Sequence, residues 1–358
     1  KKHAVDGYLY GRVGEDHFVV IADEATFNEE YLYECRETLQ NVLSDSVYNV
    51  RVCFGIYRTD NMNESLSFMC DKASFAVASI KDDTHSFIAY YDDTMLEAAI
   101  KYKTIVDEFD DAIKAGEFKM YLQPQISAKT RRLTGAEALV RRIKPDGTII
   151  SPIDFIPVYE KSGLISRLDR YIWEQAAAKL GEWKKAGINM SISVNISPKD
   201  FYYIDIFNTF AGLIKKYDIE PSNLKIEITE TTIMSDVPNL MGELEELRKA
   251  GFTLEMDDFG SGYSSLNTLK DINVDVLKVD MGFIKETKNV KKSRIILASV
   301  IKMAKELNLL IITEGVETEE QVDNLTKLGC DVFQGYYFSK AIDVNEFEKR
   351  YLYRKKAG

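Results

Sequence analysis

Asp257 and Asp258 stand side by side where the apolar run "LEMDD" ends and "FGSGYSSL" begins. Adjacent carboxylates raise one another's pKa and cost stability unless something positive neutralises them. Glu137, Glu227, Asp280 and Glu314 occupy similar places in other strand-like stretches, Asn195 adds an amide, and Lys278 and Arg141 are the basic residues beside them. Six carboxylates in a small volume overwhelm one lysine and one arginine. Hard divalent cations would balance them, and oxygen donors with a single amide and no nearby His or Cys favour Mg²⁺ or Mn²⁺ over zinc. The aspartate pair suits a two-metal centre, with Asp257 bridging ions roughly 3.5–4 Å apart and Asp258 completing one shell. Such a centre activates water.

Taken singly, each residue has a plainer reading. A strand-end acid is commonly a helix cap or a surface charge, Lys278 alone a snorkelling lysine, and "FGSGYSSL" an ordinary glycine turn with a serine cap. The set carries the argument, because the elements that must position it repeat. From residue 116 onward strand-like runs alternate with helical ones: 118–126, 133–143, 190–197, 224–230, 252–258, 274–280, 309–316 and 331–338, with amphipathic stretches such as 167–187 and 317–329 between them. Eight strands with intervening helices read as a TIM-like (β/α)₈ barrel of roughly 250 residues in the α/β class. In "SISVNIS" the apolar Ile192, Val194 and Ile196 oppose Ser191, Ser193, Asn195 and Ser197; in "LKIEITE" Leu224, Ile226 and Ile228 oppose Lys225, Glu227 and Thr229. The apolar faces pack under helices, so the polar ones converge inside, toward the C-terminal mouth where barrels place their chemistry.

The 358 residues suffice for a barrel plus a smaller domain. A composition of 45% hydrophobic and 29% charged residues, with 7 prolines, is that of a packed soluble protein. The net charge of −11 excludes a nucleic-acid surface but not a small anion held by metal ions. Cys35, Cys53, Cys70 and Cys330 lie far apart and form no CxxC pair, which fits a reduced, cytoplasmic setting. No run reaches the length of a membrane span, and the start has no signal-peptide core; an upstream sensor or membrane anchor could still belong to a parent protein.

With these residues in hand, a family resemblance is plain. "GAEALVRR" (135–142), "VNIS" (194–197), "EITE" (227–230), "DDFGSGYSSL" (257–266), "DVLKVD" (275–280), "EGVE" (314–317) and "QGYYFSK" (334–340) resemble, in order and spacing, the blocks of the EAL-domain family of cyclic di-GMP phosphodiesterases, over about residues 105–352. The resemblance implies hydrolysis of cyclic di-GMP to linear pGpG in bacterial signalling, with Mg²⁺ or Mn²⁺ required and Ca²⁺ inhibitory. It implies one metal held by Glu137, Asn195, Glu227 and Asp257 and a second by Asp257, Asp258 and Glu314, with Asp280 close by. Lys278, Glu314 and Asp258 would be catalytic, Lys278 orienting or helping to deprotonate the attacking water. Gln123, Arg141, Asp280 and Gln334 are expected near the substrate. Glu230 and Glu317 would anchor loops, Glu230 the loop 259–266, and a homodimer through the barrel is expected. Arg142, Lys144 and Ala341 depart from the family's usual residues, and Tyr159 replaces a small residue expected by the guanine pocket.

Residues 1–93 read as a small α+β unit, 94–116 as a helical linker, 117–352 as the barrel and 353–358 as a tail. "GRVGEDHFVV" (11–20) resembles the GGDEF signature of diguanylate cyclases in degenerate form: Glu15 replaces the second glycine, where phosphates should approach the backbone, and His17 replaces an acid. The half that normally precedes the signature is absent, so no cyclase activity is expected; a GTP-sensing, regulatory or purely packing role remains. Two other readings compete for the barrel. One is a receptor that holds cyclic di-GMP without cutting it, whose mark would be loss of Glu137, Asp257, Asp258 or Lys278; none is lost. The other is a glycoside hydrolase, which adjacent aspartates with an inward Asn and Lys fit poorly.

Overall fold

The computed structural model describes residues 7–14, 16–43, 51–59, 61, 63–81, 83, 85–235, 237–259, 269–270, 272–282 and 290–353. Glu15, and the loop 259–266 apart from Phe259, lie outside them. The chain divides into two compact units, Lys1–Asp107 and Glu108–Gly358. Among the described residues no helix is long and apolar enough to cross a membrane.

In the first unit β1 (Leu9–Arg12) and β2 (Phe18–Ile21) form an antiparallel hairpin. At its tip Val13 N and Gly14 N both donate to His17 O, at 3.0 and 3.3 Å. After α1 (Glu30–Leu43), β3 (Phe54–Ile56), α2 (Leu66–Ser79) and β4 (Ile88–Tyr90) form a parallel unit, and α3 (Asp93–Asp107) follows. Ser65 caps α2 by accepting from Phe68 N at 3.3 Å. Lys72 is 8% exposed. Its ammonium donates to Tyr57 Oη and Glu64 Oε1 at 2.8 and 3.0 Å, the pairing that a buried lysine requires.

The second unit opens with α4 (Phe109–Ala115), closed by Gly116 at φ 66°. Next come β5 (Phe118–Ser127), β6 (Leu133–Ile143), the short β7 (Ile149–Ile150), α5 (Pro152–Ser162), α6 (Ile165–Lys185), β8 (Ile192–Ile196), α7 (Asp200–Tyr203) and α8 (Ile206–Tyr217). They are followed by β9 (Leu224–Thr229), α9 (Glu230–Met234), α10 (Leu240–Lys249), β10 (Leu254–Asp257), β11 (Val276–Asp280), α11 (Val290–Glu306), β12 (Leu310–Glu314), α12 (Glu319–Leu328), β13 (Val332–Phe333), β14 (Ile342–Asp343) and α13 (Val344–Phe347). The sheet runs β5-β13-β12-β11-β10-β9-β8-β6, and pairing of β6 with β5 closes it into an eight-stranded barrel. The helices bury apolar stripes on it. On α6 these include Leu168, Ile172, Trp173, Ala176, Leu180 and Trp183.

The barrel departs from an all-parallel one at a single strand. β5 is antiparallel to both neighbours, because residues 128–132 leave room for a hairpin and not for a crossover helix. The eighth strand is also shorter than its apolar pattern suggests. Past Phe333 the chain turns, with Gly335 at φ 156°. A side chain there would stand 2.2 Å from Val316 O. Only glycine permits that approach.

Candidate active site

Parallel register lines up the inward residues. Glu137 pairs with Ser193, Asn195 with Glu227, Glu255 with Glu227, and Asp257 with Thr229. Glu137, Glu227 and Lys278 are 6%, 0% and 0% exposed. The carboxylates converge on the Lys278 ammonium: Nζ lies 2.5 Å from Glu314, 2.8 Å from Glu227, 3.3 Å from Asp257 and 3.4 Å from Glu137. Burial works against the charge of Lys278, but these four acids outweigh it and hold its pKa well above the usual lysine value. Burial and the charge of Glu137 push the Glu227 carboxyl far up. Burial, opposed by Lys278 and aided by Asp257 and Glu137, pushes Glu314 up to about 8.

One ammonium does not balance four carboxylates, and Glu227 Oε1 is buried without a hydrogen-bond partner. Asn195 Nδ2 donates to Glu137 Oε1 at 3.3 Å, which brings an amide beside the acids. Among the described residues no three Asp, Glu, His or Cys side chains are already spaced as a metal cage; the acids are drawn onto Lys278. The excess negative charge, the unpartnered carboxylate oxygen and the all-oxygen donor set nevertheless fit a hard divalent cation.

The other predicted residues distribute around this centre. Asp258 follows β10 in the left-handed region at φ 55°, and its N–H donates to Asp257 Oδ1 at 2.9 Å. Burial of its carboxyl and the charge of Asp257 raise its pKa. Asp280 is exposed at the end of β11, pairs in register with Glu314 and accepts from Gly282 N at 2.7 Å. Gln334, 2% exposed, donates from Nε2 to Glu137 Oε2 and, at 3.2 Å, to Gln123 Oε1. The half-buried Arg141 lies 5.9 Å from the Tyr121 ring centre and donates to Val140 O at 2.7 Å. Glu230 begins α9 and is 1% exposed; nearly all of the loop it is expected to anchor is outside the described residues. Glu317 is exposed, its N–H donating to Gln321 Oε1 at 2.7 Å.

Two departures from the family pattern acquire a structural account. Arg142 is 3% exposed and pairs with Glu108 and Glu117 at 2.7 and 2.9 Å. Tyr159 is fully buried against Phe109, Phe118 and Phe155. It therefore fills the packing beneath β5. The sequence candidates leave out Gln125 and Glu255 and give Lys225 an inward place but no role; all three face inward. Lys225 Nζ pairs with the fully buried Glu255 at 2.8 Å. The available signal was the strand period of two: each lies two residues from a candidate already chosen.

Comparison with known proteins is consistent with this frame. Residues 106–341 match the EAL domain. The chain is 31% identical over 350 residues to the signaling protein YkoW of Bacillus subtilis, covering 96% of this chain and 44% of that protein. It is 29% identical over 342 residues to the bifunctional diguanylate cyclase/cyclic di-GMP phosphodiesterase MucR of Pseudomonas aeruginosa, covering 94% and 50%. The solved structure of the PaMucR phosphodiesterase in complex with c-di-GMP superposes with a TM-score of 0.64 at 32% identity, over 68% of this chain and 99% of that one. The chain thus spans about half the length of these curated relatives.

Proposed function

Since this chain belongs to the EAL domain family, we propose that its barrel hydrolyses cyclic di-GMP to linear pGpG with the help of Mg²⁺ or Mn²⁺. The observation that carries the reading is the convergence of Glu137, Glu227, Asp257 and Glu314 on the buried Lys278, with negative charge left over. Glu137, Asn195, Glu227 and Asp257 would hold one ion, and Asp257, Asp258 and Glu314 a second. Bound metal would lower the pKa of water and shield the charge of the attacked phosphate.

The chain's own groups supply the rest. Lys278 Nζ, held charged among acceptors, orients the attacking water by donating to it. The acids around it fix the ammonium in place, so little reorganisation accompanies the step. Arg141, over Tyr121, offers its guanidinium to a phosphate oxygen. Gln334 and Gln123 present amides beside Glu137, where they position the phosphodiester. A homodimer through the barrel belongs to the same proposal and is measured by light scattering.

The test is incubation of the purified chain with cyclic di-GMP and Mg²⁺ or Mn²⁺, products being separated by chromatography. Linear pGpG should form, and excess chelator should stop it. Binding without linear product under several metals would instead make the protein a receptor.

A further inference from the structure

Gln125 has no ligand or substrate role in the scheme above, yet it is 1% exposed and faces the barrel interior from β5. Its Nε2 donates to Gln334 Oε1 at 3.2 Å and to Ser193 Oγ at 3.4 Å. Gln334 donates in turn to Glu137 Oε2 and to Gln123 Oε1. Chemistry sets the direction of this chain. An ionised carboxylate only accepts, so Gln334 must turn its amide nitrogen toward Glu137. Its carbonyl oxygen then faces Gln125, which must offer a donor. Reversal of either amide would set two acceptors against each other in a buried volume, where such a mismatch is felt strongly. Space for Gln125 is provided by the residue opposite it in register, Gly135. A Cβ at position 135 would lie 3.0 Å from Gln125 Oε1 and 2.7 Å from Ser191 Oγ.

We propose that Gln125 is a positioning residue: it locks the amide of Gln334 so that Gln334 holds Glu137 in its working orientation. The proposal rests on the reading of Glu137 as a metal ligand. Both oxygens of Glu137 are then steered by donors, Oε1 by Asn195 and Oε2 by Gln334 and Lys278. Gln125 supplies the donor that the carbonyl end of Gln334 requires in that orientation.

The experiment compares Gln125→Met, Gln125→Lys and Gln125→Glu in the full chain. Shape and polarity predict opposite orders. If Gln125 only packs, Glu is the mildest change. If it serves as a donor, Lys retains most of the turnover, Met loses it, and Glu, nearest in shape but only an acceptor, loses most. Gln125→Met leaves the charge unchanged, so it also serves in calorimetry. Its Mn²⁺ affinity without substrate should fall about 10–100-fold, the usual cost of removing an outer-sphere partner, and kcat should fall more than KM rises. A Glu variant faster than the Lys variant would overturn the proposal, as would unchanged Mn²⁺ affinity in Gln125→Met. Should Gln125→Glu fail to fold by circular dichroism, Lys against Met still decides. If the unaltered chain binds Mn²⁺ but cuts no cyclic di-GMP, the proposed function fails while the Mn²⁺ measurement still tests Gln125. If it binds no Mn²⁺, both fall.

Discussion

Replacing Lys278 with methionine keeps the volume of the side chain and removes only the cation. The four acids within 4 Å of Nζ, at 2.5, 2.8, 3.3 and 3.4 Å, would lose their shared partner while Glu227 stays fully buried. Removing one member of a buried ion pair costs about 3–5 kcal/mol, because the other charge is left uncompensated. For a unit the size of Glu108–Gly358, 1 kcal/mol moves the melting temperature by roughly 2–4 °C, so in chelator Lys278→Met should melt about 6–20 °C below the unaltered chain. Mn²⁺ should reverse much of this. An ion present at 100 times its Kd stabilises by about 2.7 kcal/mol, and the variant site is one charge more negative, so its upward shift should exceed that of the unaltered chain. Hydrolysis should not recover with stability; loss of a general acid or base costs about 100-fold or more. Differential scanning calorimetry with chelator and with Mn²⁺, alongside single-turnover kinetics, reads all three quantities. Equal melting temperatures in chelator, or a smaller metal shift in the variant, would refute the view of Lys278 as the internal counter-charge.

Asp257→Asn should remove charge from both proposed metal shells, abolish turnover and weaken Mn²⁺ binding in calorimetry; near-normal turnover would refute the two-metal assignment. Ca²⁺ should inhibit when added against Mg²⁺, because its larger and looser coordination misplaces the water, and a rate that stays constant across a Ca²⁺ titration would contradict this. With GTP and Mg²⁺ the chain should yield no cyclic di-GMP by chromatography, given Glu15 and His17 in the signature. Away from the site, Asp200 accepts from Ser197 N at 2.7 Å and faces Asp169, Ser166 and Glu160; burial pushes its carboxyl up to about 6 and drives Asp169 well above the ordinary value. A folded pKa above the unfolded 3.8 means tighter proton binding when folded, so this stabilisation is complete below about pH 4 and is lost as pH rises through about 6. The shift corresponds to about 3 kcal/mol. Asp200→Asn should therefore gain melting temperature over the unaltered chain progressively from pH 4 to pH 7, whereas a difference independent of pH would contradict the assignment.

Most barrel strands were legible because a single physical rule generates them. Apolar residues at every second position must lie under helices, so "SISVNIS" and "LKIEITE" revealed their inward residues from pattern alone. The antiparallel β5 was readable too, since "SAKTRRL" is too short to hold a crossover helix, but expectation of a regular barrel hid it. The end of β13 was not readable from pattern. "VFQGYYF" continues as an apolar run, and the turn at Gly335 is imposed by the backbone of Val316, remote in sequence. Gln125 and Glu255 escaped, and Lys225 gained no role, for another reason: barrel chemistry is expected at the C-terminal ends of strands, whereas each of these stands one inward position deeper.

That deeper position explains why chemistry is confined to one end of the barrel. Two residues before Glu227, Asp257, Lys278, Glu314 and Gln334 stand Lys225, Glu255, Val276, Ile312 and Val332, and on the antiparallel β5 the corresponding step leads from Gln123 to Gln125. In this lower tier Lys225 neutralises Glu255 one to one at 2.8 Å, Val276, Ile312 and Val332 pack together as an apolar plug, and Gln125 opposite Gly135 completes the ring with a neutral amide. In the upper tier four acids share the single Lys278. An added cation gains little below, where charge is already balanced and apolar walls offer no oxygen, and gains most above, where carboxylate charge is in excess. The same strands therefore supply both the floor that excludes ions and the ring that attracts them, and a one-residue slip in register would turn both tiers away from the interior together.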